Sequence, residues 1–317
     1  MSAFAVDRRI RSLRPTFAPV DPYTAHGFLL DEERRPGGAI ERALTVFLAG
    51  AECPFTCGFC DLWRWTIDGP TPPGALTKQL ADVLLSFGDA DAHPARLKLY
   101  NASNFFERRA VPADDVPAIA ALAAPFAGVT VESHANTVGP LTLEFAQQLS
   151  GRLEVAVGLE TIHPTAIANL NKRLDLARFD NAARFLADHD IDLRVFVLLG
   201  APHGPHGDAI EWTVRTAEYA AARGASMVSI IPVRGGNGEM GRLEALGQFT
   251  PPTLRHLETA LEACLHLAPS VITADLWDVD RLPACTACST TRIDRLRRLN
   301  VTGRAEAPVT CLVCEAE

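Results

Sequence analysis

Residues 43–64 read ALTVFLAGAECPFTCGFCDLWR, an apolar run followed at once by three cysteines. Ala43–Leu48 has the length and composition of a buried strand. Cys53, Cys57 and Cys60 follow at C-x3-C-x2-C spacing, close enough for three thiolates to wrap one metal centre, with Gly58 between them to relax the backbone. A structural zinc takes four protein ligands. Three leave a position open, and an open position is where substrate chemistry happens. A zinc knuckle borrowing His93 or Asp61 as fourth ligand is the plainer reading of the same residues.

From Ala43 onward the sequence alternates between short apolar runs and helical patterns. Strands are expected at Ala43–Leu48, Arg96–Tyr100, Val129–Val131, Leu153–Leu159, Leu193–Leu199 and Met227–Ile231, with a seventh at Val271–Ala274. Helices are expected near Leu76–Leu85, Val116–Ala123 (begun by Asp114 and Asp115), Leu141–Leu149, Arg178–Ala187 and Asp208–Arg223. Such alternation gives a parallel sheet with right-handed crossovers. The repeat falls short of eight, so the expected fold is α/β, a partial, open (β/α)6 TIM-like barrel. Residues 1–42, rich in Arg and Pro, are expected to wrap the domain rather than build its core; 43–280 form the barrel and 281–317 a small C-terminal metal-binding tail.

In parallel barrels the working residues stand at the C-terminal strand ends. Here those ends carry the cysteine loop, Asn101–Asn104, Glu132-Ser133-His134, Glu160-Thr161, His203 and the Gly-rich turn Arg234–Gly238 with Asn237 and Glu239. Each cluster, taken singly, can be read as helix caps and loop bonding; several on one rim point to a site. His134 and His203 are candidate proton-transfer groups because imidazole titrates near neutral pH. The Gly-rich turn either admits a ligand against its backbone or is simply tight.

Cysteines recur in the tail as Cys285-x2-Cys288 and Cys311-x2-Cys314, separated by 22 residues. Two such turns complete a tetrahedral S4 site, for Zn2+ or for a second [4Fe-4S] cluster. Between them lie Arg292, Arg295, Arg297, Arg298 and Arg304, readable as a solvated helix face or as a patch for RNA. The tail holds few apolar residues, so a chain cut before Cys285 is expected to keep a folded barrel. The net charge of −8 opposes a surface devoted to nucleic acid. No apolar run reaches membrane length, and clustered cysteines without a signal-like N-terminus fit a reducing, cytoplasmic setting.

The triad with Phe59, Asp61, Leu62 and Trp63 resembles the signature of the radical S-adenosylmethionine (SAM) superfamily. That resemblance implies a [4Fe-4S] cluster on Cys53, Cys57 and Cys60, SAM on its fourth iron, and reductive cleavage of SAM to a 5′-deoxyadenosyl radical that takes hydrogen from a substrate. It implies Phe59 near the adenine, Asn101 and Asn104 where a Gly-Gly-Glu-like segment usually binds the SAM amino group, and Glu132, Ser133 and Glu160 at the ribose or amine. Lys172 or Arg173 would suit the methionyl carboxylate, Arg234 and its turn the adenine, and a flavodoxin or ferredoxin would supply electrons.

Five stretches, Cys57–Trp63, Tyr100–Phe106, Val131–Ser133, Glu154–Thr161 and Leu170–Lys172, together resemble the archaeosine synthase radical-SAM subunit and its relatives, which act on a modified base in tRNA. The expectation is a radical SAM enzyme acting on a small metabolite or nucleotide-like substrate. A tRNA-modifying enzyme and a non-catalytic iron–sulfur and zinc RNA-binding module remain the alternatives; only an enzyme would make 5′-deoxyadenosine.

Overall fold

Strand pairing follows chain order. The computed structural model describes residues 3–87, 94–236 and 238–315. Helix α1 (Ala3–Ser12) precedes one curled eight-stranded sheet: β1 (Gly27–Arg34), β2 (Ile40–Phe47), β3 (Arg96–Tyr100), β4 (Gly128–Ser133), β5 (Arg152–Glu160), β6 (Asp192–Leu199), β7 (Met227–Pro232) and β8 (Val271–Ala274). Strands β2 to β8 are parallel and β1 runs antiparallel to β2. The crossovers carry α2 (Ala75–Phe87), α3 (Asp115–Leu122), α4 (Pro140–Gln148), α5 (Pro164–Asn169), α6 (Leu176–Asp188), α7 (Ala209–Ala221), α8 (Gly238–Ala245) and α9 (Leu254–Cys264); α10 (Ser289–Thr302) and α11 (Leu312–Glu315) follow β8. This is the expected partial barrel, with Val271–Ala274 as its seventh parallel strand.

The pleat sorts each strand into two faces. Leu44, Val46, Leu97, Leu99, Val129, Val131, Val155, Val157, Val195, Val197, Val228 and Ile230 are buried without exposure in the core cluster shared with the helices. The opposite face turns inward and is polar. One register row aligns Thr45, Lys98, Thr130 and Glu154 across four strands. Glu154, with no exposed area, pairs with Arg194 at 2.8 Å and Arg35 at 2.7 Å. Arg194 also grips Glu33 at 2.7 Å, and Lys98 reaches Glu33 at 3.2 Å. Burial alone would raise the Glu154 carboxyl, but the cations of Arg194, Arg35 and Arg96 outweigh it and hold the pKa at about 2.

Three expectations need correction. Residues 1–42 do more than wrap: β1 joins the sheet, and it and the turn after it deliver Glu33 and Arg35 to the barrel floor. Nothing in a weakly periodic segment announces that, because the partners lie in distant strands. The tail, in turn, is packed into the same core as the barrel. Leu296 and Leu299 of α10 are fully buried in the main core, and Arg292 and Arg295 pair with Glu258 of α9. Asp115 also differs in use: its carboxylate accepts from the Gly74 and Leu76 amides at 2.5 and 3.1 Å, serving the start of α2 instead of its own helix.

Two outcomes follow from these contacts. Glu154→Gln takes one carboxylate from two buried guanidinium groups, leaving Glu33 to balance both, and should cost about 3–5 kcal/mol in urea unfolding. The Glu154 carboxyl is held below its usual 4.5, so its contribution is complete above that pH and fades as pH falls toward 2; a wild-type-minus-mutant difference that stays flat through this window would contradict the assignment. Deleting residues 285–317 exposes core leucines and leaves Glu258 buried without its cations, so the truncated chain should melt well below the intact one.

Candidate metal centre and barrel mouth

The cysteine loop leaves the end of β2 and is anchored on all sides. Gln79 Oε1 accepts from the Ala49 amide and Thr71 Oγ1 from the Ala51 amide, both at 2.8 Å. The Gly58 amide donates to Leu170 O at 3.0 Å. Gly58 has an ordinary φ, and a Cβ there would meet Glu239 Cγ at a comfortable 3.5 Å. The glycine therefore does not relax the loop, as its sequence position implied; its amide is what the fold uses. From above, Asp7 of α1 bonds Thr56, Asn171 and Arg173, while Arg14 pairs with Glu52 at 2.7 Å and lies over the Trp63 ring.

Burial pushes the Cys57 thiol up to about 12 and raises Cys60 and Cys53 as well, against the pull of the nearby Lys172 cation on Cys53 and Cys57. Thiols this desolvated ionise only when a cation takes the proton's place, which is what metal binding does. Lys172 stands beside them and donates to Glu160 Oε1 at 2.6 Å. Burial would lower its pKa, but Glu160 and the Cys57 thiol raise it further. Gly158 makes that pair possible, since a Cβ at this position would run into Glu160 Oε1 and Lys172 Nζ. The chain bulges between Gly158 and Glu160, and Glu160 takes φ 71°, a left-handed conformation rare for such a residue.

Asn104 joins two strand ends. Its Oδ1 accepts from the His134 amide at 2.9 Å and Thr137 Oγ1 at 2.7 Å, and its Nδ2 points at Cys53 Sγ, 3.7 Å away. Ser133 Oγ lies 2.8 Å from Thr137 Oγ1. Asn101 is fully buried, and its Nδ2 has no hydrogen-bond partner among the described residues. Glu132 is desolvated until its carboxyl titrates at about 8, despite the Lys172 charge. An orphaned amide, a neutral-leaning carboxyl and three half-buried thiols are groups suited to a polar ligand and a metal. The residues present fit a cluster with a charged small molecule beside it.

Several assignments shift. His134 is not a free proton carrier: Nδ1 accepts from the Asn136 amide, Nε2 meets Lys172 O at 3.0 Å, and the ring stacks on Phe55 at 3.9 Å. Burial pulls its pKa down to about 3, so it stays neutral. Burial lowers His203 too. Arg173 turns outward to Asp7 of α1, leaving Lys172 as the cation by the thiols. Arg234 contacts Asp275 at 3.5 Å and bonds Trp277 O beyond β8, away from the Lys172 cluster's bonds. The Gly236 amide is taken by Glu244 of α8, the arrangement of a tight turn. Phe59 packs against the small apolar cluster of Leu198, Val233, Met240, Leu243 and Phe249. His93 and Asn237 lie outside the described residues. Sequence reading missed Asp7, Glu52 and Phe55; only Phe55, inside the cysteine motif, carried any local signal.

The tail cysteines converge. Cys285 and Cys311 sulfurs lie 4.0 Å apart and those of Cys288 and Cys314 3.7 Å apart, with all four within 4.8 Å of one another. The intervening arginines do not make an open patch. Arg292 and Arg295 are buried against Glu258 and Glu262, while exposed Arg297 and Arg298 pair with Asp294 and Glu306. A charge alternating with carboxylates in space can look unbalanced in sequence.

No family model matches the chain, and no curated protein matches its sequence. Solved structures do. A radical SAM methyltransferase from Sphaerobacter thermophilus aligns at TM-score 0.55 and 13% identity over 82% of this chain and 79% of its own. Elp3 from Methanocaldococcus infernus aligns at TM-score 0.53 and 11% identity over 70% of this chain and 59% of its own. The chain shares the fold of these two proteins. Methylornithine synthase (PylB) aligns at TM-score 0.50 and 15% identity, covering 71% of this chain and 62% of its own. The chain thus spans less than two thirds of the Elp3 and PylB structures. No helix among the described residues is long and apolar enough to cross a membrane.

Gly158→Ala should separate Lys172 from Glu160 and leave the thiols without their ordered cation. After anaerobic reconstitution, the variant should retain markedly less iron than wild type while keeping the far-ultraviolet spectrum of the fold. Equal iron loading would show that the pair plays no part in the metal site.

Proposed function

We propose that this protein is a radical SAM enzyme acting on a small metabolite or nucleotide-like substrate. The observation that carries the reading is the convergence of three half-buried thiols, the Lys172–Glu160 pair and Asn104 at the C-terminal ends of β2, β3 and β5. Cys53, Cys57 and Cys60 would hold a [4Fe-4S] cluster, leaving its fourth iron to SAM. When bound and reduced, such a cluster supplies the electron that splits SAM into methionine and a 5′-deoxyadenosyl radical able to take a hydrogen atom.

The chain's own residues then have defined tasks. Lys172 offsets the thiolate charge and orients Glu160. Glu160, Glu132, Ser133 and the unpartnered Asn101 amide offer hydrogen bonds to the amine and hydroxyl groups of SAM. Phe59 supplies an apolar wall for adenine. Helix α1 lies across the cysteine loop through Asp7 and helps keep water from it. Electrons would come from a flavodoxin or ferredoxin, and a reducing, cytoplasmic setting suits both thiol clusters.

The likeness to archaeosine synthase in the five sequence stretches favours a nucleobase as reacting group. The dispersed tail arginines and the net charge of −8 favour a free, nucleotide-sized molecule over an RNA chain.

Reconstituted anaerobically with iron and sulfide, then given dithionite and SAM, wild-type protein should release 5′-deoxyadenosine, and Cys57→Ala should release none. A full iron load without SAM cleavage would sink the proposal.

A further inference from the structure

We infer that Cys285, Cys288, Cys311 and Cys314 form a mononuclear tetrathiolate zinc site with Arg292 as its charge-balancing partner, built for one ion and not for a second iron–sulfur cluster. The inference is independent of the radical reading, because it concerns a different set of thiols.

The sulfur spacing decides the nuclearity. Four thiolates around one tetrahedral ion, each at about 2.3 Å, must lie about 3.8 Å from one another. The cross-knuckle separations of 4.0 and 3.7 Å match that edge length. In a [4Fe-4S] cube each thiolate binds a different iron and points outward from its own corner, which spreads the sulfurs much further. The chain provides its own contrast. Among the described residues, the tail quartet is the one group of three or more such ligands whose donor atoms gather within 4.8 Å; the barrel triad does not.

Local structure explains the gathering. Cys285 O accepts from the Cys288 and Ser289 amides at 3.2 and 3.0 Å, closing a knuckle that leads straight into α10. Cys288 is the residue before that 14-residue helix, so its sulfur sits at the electropositive helix start. A divalent ion with four thiolates carries two negative charges, and Arg292 addresses them. Its Nε donates to Cys288 Sγ at 3.2 Å, its Nη1 pairs with Glu258 of α9, and its Nη2 donates to Val309 O at 3.2 Å. One guanidinium therefore links the metal-binding sulfur, the barrel and the segment that returns to Cys311. Four cysteines leave no open position, so the ion's task is structural. It fastens the returning chain onto α10.

The test uses the full chain carrying Cys53→Ser, Cys57→Ser and Cys60→Ser, so that any remaining metal belongs to the tail. It should purify with about one zinc per chain and, after anaerobic iron and sulfide treatment, show no iron–sulfur absorbance; cobalt in place of zinc should give tetrahedral thiolate bands. About four irons, or no metal at all, would overturn the inference. Should the triple variant fail to fold, wild type reports the same answer: about four irons with one zinc supports it, whereas about eight irons, or four irons without zinc, overturns it. Arg292→Gln should weaken zinc about 10- to 100-fold in competition with a chromophoric chelator. Glu262→Gln, which disturbs the same helix junction through Arg295 without touching a sulfur, should leave zinc affinity unchanged. Equal affinity of wild type and Arg292→Gln would remove Arg292 from the site.

Discussion

Glu154 carries a charge at a place where water cannot reach it, and the barrel is arranged to make that tolerable. Isolated, such a carboxylate would protonate or drive the chain open. Arg194 from the next strand and Arg35 from the turn after β1 meet it, and Glu33 and Lys98 complete the balance. The strands cannot splay apart or slip without leaving one of these ions unpaired. Such a slip would also turn each strand's apolar face inward. The network closes the lower end of the barrel and leaves the C-terminal strand ends as the open end.

At that open end the same logic is left unfinished. Lys172 and Glu160 satisfy each other, but the surrounding thiols are desolvated, Glu132 is raised toward neutrality, and the Asn101 amide donates to nothing described. Below, Glu154, Arg194, Arg35, Glu33 and Lys98 balance one another as ion pairs; above, several polar groups have no such partner among the described residues. A ligand that brings positive charge to the sulfurs and hydrogen-bonding groups to the rim would resolve the difference. Backbone strain at Glu160 lies in the same place, and strain of this kind gathers where geometry is held for chemistry.

The tail repeats the floor's device at the outer side. Glu258 is buried on α9, and Arg292 and Arg295 come from α10 to neutralise it. Arginines that could have served a polyanion are thus spent inside the protein. Because Arg292 also reaches Cys288, the packing of the helix and the shape of the cysteine quartet depend on the same side chain.

By itself the sequence determined what local pattern can encode. The alternation of apolar runs with helical stretches specified parallel strands and covering helices, since a strand buried on both sides must be apolar along its length. The C-x3-C-x2-C and paired C-x2-C spacings specified two thiol clusters, since cysteines that near have few other arrangements. Only the tertiary structure decided which polar residues meet. Arg194 and Glu33 are 161 positions apart, and Asn171 and Asp7 164; no window of sequence relates them. The strand alternation could mark Glu154 and Lys98 as inward, yet Glu33 comes from a β1 without a strand-like pattern and Arg35 from the turn after it. The same holds for the tail arginines, which look free in sequence and are buried in space. Ion pairs are made by charges that the fold brings together at short range, and a linear pattern records the charges but not the distance.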